Sequence, residues 1–336
     1  MRFEERAVSD AEGTILRHNV ADAGGARVLR KGTLLADEHL VQLAGAGIDA
    51  VEVAILEQDD VHEDEAARAL AAAMETDELE LSLSAGGRVN LRATVDGLLE
   101  VDAERLLALN MLPGIALATR RQHMVVGPNQ TTDNVATMKI VPYAIRRSDL
   151  DRALELASAR PGMIEVRVFQ PGRRAALLLA GEPAVHAKLR DSFEAPTRTR
   201  LEGLKAVLAV VECVEQEEGA IAQAASRLAA EVNLLIIAGQ TSVMNEEDST
   251  LRALRRAGAE LTLSGAPVEP GNLLALAYLP DAPVLCAPGC ARGLRRNVMD
   301  VVLPRLLLGD RLDRREVAAL GLGGFLTAAE RAGDVT

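Results

Sequence analysis

Val232-Asn233-Leu234-Leu235-Ile236-Ile237-Ala238-Gly239-Gln240-Thr241-Ser242-Val243-Met244-Asn245-Glu246-Glu247-Asp248 decides the fold. The run from Val232 to Ala238 is short, nearly continuously apolar and ends on a glycine. That is the pattern of a strand buried on both faces. A polar loop follows, and Asp248 stands where a helix over 248–258 would take its N-cap. The same alternation repeats on either side. Arg174 to Ala180 reads as a strand, Pro183 to Glu194 as a helix, Lys205 to Val211 as a strand and Glu217 to Glu231 as a helix. Leu273 to Leu279 and Pro283 to Ala287 read as a hairpin around Pro280-Asp281, and Leu294 to Leu308 as a helix. Buried strands alternating with helices predict a three-layer αβα domain with a mostly parallel sheet, placed at 171–312, with a tail at 313–336.

Upstream the pattern changes. Residues 1–58 read as a small α/β segment: a short helix or turn in Val8 to Val20, two short strands in Arg27 to Leu35, a helix with Leu40, Leu43 and Ala44 on one face, then a strand from Ile48 to Leu56. Residues 59–170 read as a mixed, strand-rich domain with turns at Gly86-Gly87 and Pro113-Gly114 and a helix near Ala103 to Asn110. The acidic run Glu57 to Glu65 reads as the first turn of a helix carrying Ala66, Leu70 and Met74, where carboxylates suit the dipole. A metal site around His62 is the sharper alternative.

Composition narrows the chemistry. The chain has 336 residues, 49% hydrophobic and 26% charged, which supports real cores and excludes a disordered acidic polymer. A net charge of −12 repels nucleic acid, and 2% aromatics with no Trp leave few stacking platforms. No apolar run approaches the roughly 18 residues of a membrane span, and Met1 to Arg6 lacks a signal-peptide layout, so the cytoplasm is the expected compartment. Cys213, Cys286 and Cys290 are too few and too irregular for a disulfide framework; the CxxxC of Cys286 and Cys290 has no second pair to complete a metal set.

Ligands of such sheets sit beyond the carboxyl ends of the strands. That rule selects Gly181-Glu182, the loop Gly239-Gln240-Thr241-Ser242 to Asp248, Pro270-Gly271-Asn272, and Pro288-Gly289-Cys290 with Arg292, Arg295 and Arg296. Gly239 admits close backbone approach, Thr241 and Ser242 offer hydroxyls, and a following helix end offers free N–H groups, so the loop is an oxyanion cradle. Asp248 is equally well placed as a plain cap or as a functional carboxylate. Arginines before a helix oppose its dipole, which is easier to understand if an anion sits there.

These loops resemble the molybdenum-cofactor biosynthesis domain shared by molybdopterin adenylyltransferases, molybdopterin molybdotransferases and competence-damage-type proteins. The match runs through Gly239 to Asp248, Pro270-Gly271-Asn272, Pro288-Gly289-Cys290-Ala291 and Pro304 to Gly309, about 140 residues in order. Lys31 to Leu35, Leu43 to Ile48 and Val51 to Val53 resemble a molybdotransferase segment. His62 to Glu65, Gly87 to Leu91 and Val135 to Pro142 resemble a stand-alone molybdopterin-binding group. The resemblance implies that Gly87, Arg88 and Asn90 lie near the ligand. Departures are Gln240 for a second glycine, Met244 for a glycine and Cys290 for an asparagine.

The resemblance implies a molybdopterin-binding protein of cofactor biosynthesis that inserts molybdate, activates a phosphate, or carries the cofactor. In a transferase version Asp248, with Glu217 or Glu218, would hold Mg²⁺ or position the reacting oxyanion. The alternatives are a non-catalytic carrier or regulatory partner of a cytidylyltransferase, and a competence-damage-type nucleotide pyrophosphatase. Molybdopterin or molybdenum cofactor is the expected ligand, molybdenum-cofactor enzymes are the expected partners, and self-association follows from the relatives' habit.

Overall fold

The computed structural model describes residues 1–128 and 134–326. The chain divides into two compact units, Met1–Val166 and Arg167–Thr336.

In the first unit the elements run β1 (Arg2–Ala7), β2 (Ile15–Leu16), β3 (Val20–Ala21), β4 (Arg27–Leu29), α1 (Asp37–Gly45), β5 (Ala50–Ile55), β6 (Asp60–His62), α2 (Glu63–Met74), β7 (Leu79–Ser84), β8 (Arg88–Ala93), β9 (Gly97–Val101), α3 (Ala103–Asn110), β10 (Ile115–Thr119), β11 (Val125–Val126), β12 (Asn134–Ile140), β13 (Ala144–Arg146), α4 (Arg147–Ser158) and β14 (Ile164–Val168). Small sheets dominate. The largest has the order β10-β12-β8-β7 and is antiparallel throughout. Its apolar face packs with Ala66, Leu70 and Met74 of α2 and with Leu150 and Ala153 of α4. The helix expected from the acidic run is α2, and His62, not a carboxylate, caps it through Nδ1. Val8 to Val20 becomes a single 3-10 turn, Val8–Asp10, followed by β2. Leu16, Leu35, Leu43 and Val53 form its own small core.

The second unit contains β15 (Arg174–Ala180), α5 (His186–Gly203), β16 (Val207–Val214), α6 (Glu218–Ala229), β17 (Leu234–Gly239), α7 (Ser249–Arg256), β18 (Glu260–Ser264), β19 (Ala275–Tyr278), β20 (Pro283–Cys286), α8 (Val298–Leu307) and α9 (Arg314–Ala319). They form an α/β fold around one six-stranded sheet of order β16-β15-β17-β20-β19-β18. β16, β15, β17 and β20 are parallel, and the expected hairpin β19–β20 is antiparallel. Ala176, Leu178 and Ala180 pack with α6 and α7 on one face. Their neighbours Ala175, Leu177 and Leu179 point to the other face by the period of two, and α5 lies against β15 there. A strand buried on both sides needs no polar alternation, which is why β15 and β17 read as unbroken apolar runs.

β18, the antiparallel edge strand, was not expected from the sequence, and two expected helices have different bounds. The helix expected over 183–194 is a 3-10 turn, Pro183–Val185, and then α5, which runs on through Pro196 to Gly203. An interior proline forfeits one helical hydrogen bond, but Leu189, Phe193 and Leu201 of this helix are all buried, and burial of that size offsets the loss. The helix expected from Leu294 starts only at Val298, because Asn297 caps it in a reciprocal capping box with Asp300. Part of the expected 313–336 tail is α9; residues 327–336 lie outside the described residues.

Candidate functional site

Parallel strands deliver their carboxyl ends to one edge, and the loops there are hydrogen-bonded side to side. Gln240 N donates to Ala180 O (2.8 Å), and Glu182 N donates to Gln240 Oε1 (3.2 Å), joining the loops after β15 and β17. Gln216 Nε2 donates to Thr241 Oγ1 (3.2 Å), adding the loop after β16. Gly289 N donates to Ser242 Oγ (3.0 Å), adding the loop after β20. Gly181, Glu182, Gly239, Gln240, Thr241, Ser242 and Gly289 are thus brought together. Gly239 is required by the backbone: a Cβ there would sit 2.7 Å from Thr241 O. At Gly181 a Cβ would press on Leu189 at 2.7 Å.

The segment from Pro288 to Asn297 is organised by a residue the sequence reading did not single out. Arg200 of α5 is 2% exposed. Its guanidinium donates to Asp300 Oδ1 (2.8 Å) and to the carbonyls of Ala291 (3.2 Å), Gly293 (2.7 Å) and Arg295 (3.2 Å). A buried cation with that many acceptors is a satisfied one. Asn297 Nδ2 adds a bond to Arg295 O (3.0 Å). The signal was present: Leu189, Phe193, Thr197 and Arg200 share one helical stripe, but reading the helix as ending at 194 hid it.

The arginines separate into two kinds. Arg292 does not stand at the start of α8; it ends a 3-10 turn, Gly289–Arg292, and its guanidinium lies 4.9 Å from the centre of the Phe193 ring. The side chains of Arg295 and Arg296 have no hydrogen bond, ion pair or ring contact among the described residues. They are the cations left for an anion.

The carboxylates are committed elsewhere. Asp248 Oδ1 accepts from Thr250 N (2.9 Å) and caps α7. Glu218 takes Arg252 Nε at 2.6 Å. Glu217 is exposed and its side chain does not cap α6. Among the described residues no three His, Cys, Asp or Glu side chains gather as a metal set.

Pro270-Gly271-Asn272 serves the packing of α8. Val298 N donates to Pro270 O (3.1 Å), and any Cβ on Gly271, at φ 128°, would run into Val298. Asn272 is exposed and its carbonyl accepts from Ala266 N (2.9 Å). Pro288 is buried. Burial pushes the Cys290 thiol up, so this sulfur is a poor thiolate. Cys286, buried and near Asp248, is pushed up to about 12.

Arg88 and Asn90 lie on β8 in the first unit. Asn90 Oδ1 accepts from Thr137 Oγ1 (3.0 Å), and Arg88 is exposed opposite Lys139.

No family model and no curated protein matches the chain. Its structure matches solved structures of molybdenum-cofactor biosynthesis proteins. A molybdenum cofactor biosynthesis protein from Pyrococcus furiosus is 11% identical, with a TM-score of 0.24, over 91% of this chain and 63% of that one. The molybdopterin biosynthesis MoeA protein from Pyrococcus horikosii is 11% identical, with a TM-score of 0.31, over 94% and 75%. A putative molybdenum cofactor biosynthesis protein from Corynebacterium diphtheriae is 14% identical, with a TM-score of 0.30, over 42% and 98%. The chain therefore spans under two thirds of the length of the Pyrococcus furiosus protein. Overlaps this loose do not locate a ligand. Among the described residues no helix is long and apolar enough to cross a membrane.

Proposed function

We propose that residues 171–312 form a binding domain for a pterin phosphate of the molybdopterin kind, and that the protein holds or carries this ligand in the cytoplasm for molybdenum-cofactor enzymes. The observation that carries the reading is the union of the Ser242 and Gly289 loops beside a segment whose Arg295 and Arg296 side chains have no partner among the described residues. The Thr241 and Ser242 hydroxyls, which accept from Gln216 and Gly289 and keep their own protons to donate, and the Arg295 and Arg296 guanidiniums are donors of the kind a phosphate needs. The resemblance of the same loops to the cofactor-biosynthesis domain supplies the pterin.

Binding is favoured over metal-assisted transfer. With Asp248 capping α7 and Glu218 paired to Arg252, a Mg²⁺ would have to arrive already held by phosphate oxygens, as Mg²⁺ commonly does. A carrier or regulatory role, in a self-associating protein, fits these committed carboxylates better than molybdate insertion.

The test is the protein purified from a cofactor-producing host, denatured, oxidised, and examined for the fluorescent pterin derivative. Wild-type protein should release near-stoichiometric pterin and the Arg295→Ala/Arg296→Ala variant little. Absence of pterin from wild type, even after incubation with freshly released molybdopterin, would sink the reading.

A further inference from the structure

The largest sheet of the first unit treats its two edges differently. Its order is β10-β12-β8-β7, so β10 and β7 are the edges. At β10 a side chain closes the open side. Asn110 of α3 donates Nδ2 to Leu117 O (2.9 Å) and accepts from Leu117 N at Oδ1 (2.7 Å). That amide takes the place of a neighbouring strand and blocks further pairing.

β7 has no such cover. Thr94 N donates to Glu78 O (2.9 Å), which sets the phase of the ladder with β8. Glu80, Ser82 and Ser84 therefore turn their backbone groups toward β8, and Leu81 and Leu83 turn theirs outward. Among the described residues nothing bonds to the outward groups of Leu81 and Leu83. The strand carries no proline, no lysine and no bulge, the usual means of blunting an edge. Its core-facing leucines are covered unevenly: Leu79 is buried, whereas Leu83 is 51% exposed. Beside Leu83 lies a cavity of about 150 Å³, lined by Asp64, Ala67 and Arg68 of α2 and by Leu83, Ser84 and Ala85. Space of that size admits a small apolar group.

The opposite face supplies a charge pattern. Glu80 and Arg88 are exposed, and neither has a hydrogen bond or ion pair among the described residues. Arg88 stands on β8 directly opposite Ser84. Suppose two β7 strands pair antiparallel, with Ser82 facing the partner's Ser82 across a two-fold axis. Leu83 then faces the partner's Leu81, which arrives beside the cavity. Ser84 faces the partner's Glu80, so Arg88 and that carboxylate are two strand spacings apart, roughly 10 Å between Cα atoms. Small Ser84 between them leaves room for the long side chains to meet, and the symmetry repeats the pair. This register uses the outward groups of Leu81 and Leu83 in both copies, about four backbone hydrogen bonds. An unrelated extended peptide could use the same backbone groups, but a second β7 brings the leucine and the carboxylate with it.

We propose that β7 is a self-association edge, at which two copies of this chain pair antiparallel about Ser82 and join their four-stranded sheets into one. The proposal does not depend on the phosphate-site reading.

The experiment uses the full chain. Sedimentation equilibrium from about 1 to 100 µM should show wild type passing from monomer to dimer. Ser82→Arg sets two like charges face to face on the axis at a position exposed in the monomer, and should weaken the dimer about fivefold or more. Residues opposite each other in such a non-hydrogen-bonded pair have Cα atoms about 4.5 Å apart, within disulfide reach. Ser82→Cys should therefore cross-link into a dimer under copper–phenanthroline oxidation, read on a non-reducing gel beside wild type, whose own cysteines set the background. Glu80→Cys, which faces serine in this register, should stay at that background. Arg295→Ala/Arg296→Ala should dimerise as wild type does, so loss of pterin capture and loss of the dimer are separate results. A wild-type chain that stays monomeric, a dimer unchanged by Ser82→Arg, or cross-linking of Ser82→Cys no greater than that of Glu80→Cys overturns the proposal.

Discussion

Replacing Arg200 with methionine removes a cation while keeping the apolar stem. The loss follows from what it leaves behind. Asp300, its side chain 10% exposed, keeps its charge without the guanidinium 2.8 Å away, and breaking a buried pair from one side costs about 3–5 kcal/mol. The carbonyls of Ala291, Gly293 and Arg295 also lose a donor. Gly293 and Arg295 are exposed, so their carbonyls can turn to water and add little; Ala291 is buried and adds about 1 kcal/mol. The expected loss is about 4–6 kcal/mol in the urea transition of the second unit, followed by circular dichroism because the chain has no Trp. Arg200→Met/Asp300→Leu should recover a large part of it, since no charge is then stranded. Pterin capture should fall in Arg200→Met even below its transition, because the segment bearing Arg295 and Arg296 has lost its anchor. A loss under about 1 kcal/mol with unchanged m would refute the account of Arg200 as the organiser of this loop.

Other outcomes follow from single groups. Asp248→Ala should cost about 1 kcal/mol as a lost N-cap, while Asp248→Asn should keep both the cap and pterin capture; loss of capture in Asp248→Asn at unchanged stability would show a role for the charge. Burial pushes Asp310 up, but hydrogen bonds from Arg167 and Arg305 outweigh it, and its carboxyl lies below the usual carboxylate range. A depressed folded-state pKa contributes stability that is present above the unfolded value near 4 and lost as pH falls through the folded value. Asp310→Asn should therefore lower stability at neutral pH and flatten the acid limb of a pH–stability curve; an unchanged acid limb counts against it. Cys286, buried and with its thiol near 12, should escape alkylation at pH 8 in the folded protein, read by peptide mass spectrometry. Modification of Cys286 within minutes would show that the sheet edge opens.

The strands of the second unit were legible because burial on both faces leaves only apolar residues. Val232 to Ala238 and Arg174 to Ala180 could scarcely be anything else, and the Pro280-Asp281 turn placed the hairpin. The loop residues at their ends were legible by the topology rule alone. What each does there was not. Asp248 reads the same as cap or catalyst until Thr250 N is seen 2.9 Å from its carboxylate. Arg292, Arg295 and Arg296 read as one basic cluster until Phe193, distant in sequence, takes the first of them. Glu63 reads as one acid among six in Glu57 to Glu65, and only packing shows that it alone is buried against Lys139.

Local physics, then, determined the α/β class, most elements of the second unit and the addresses of its loops, because hydrophobic period, capping and turn chemistry act over a few residues. The tertiary structure decided which polar groups are spent on one another and which remain. Arg200 and Asp300, a hundred residues apart, meet at 2.8 Å, whereas Arg295 and Arg296 meet nothing among the described residues. Pairing of that kind depends on desolvation and distance across the fold, and neither is written in the spacing of residues along the chain.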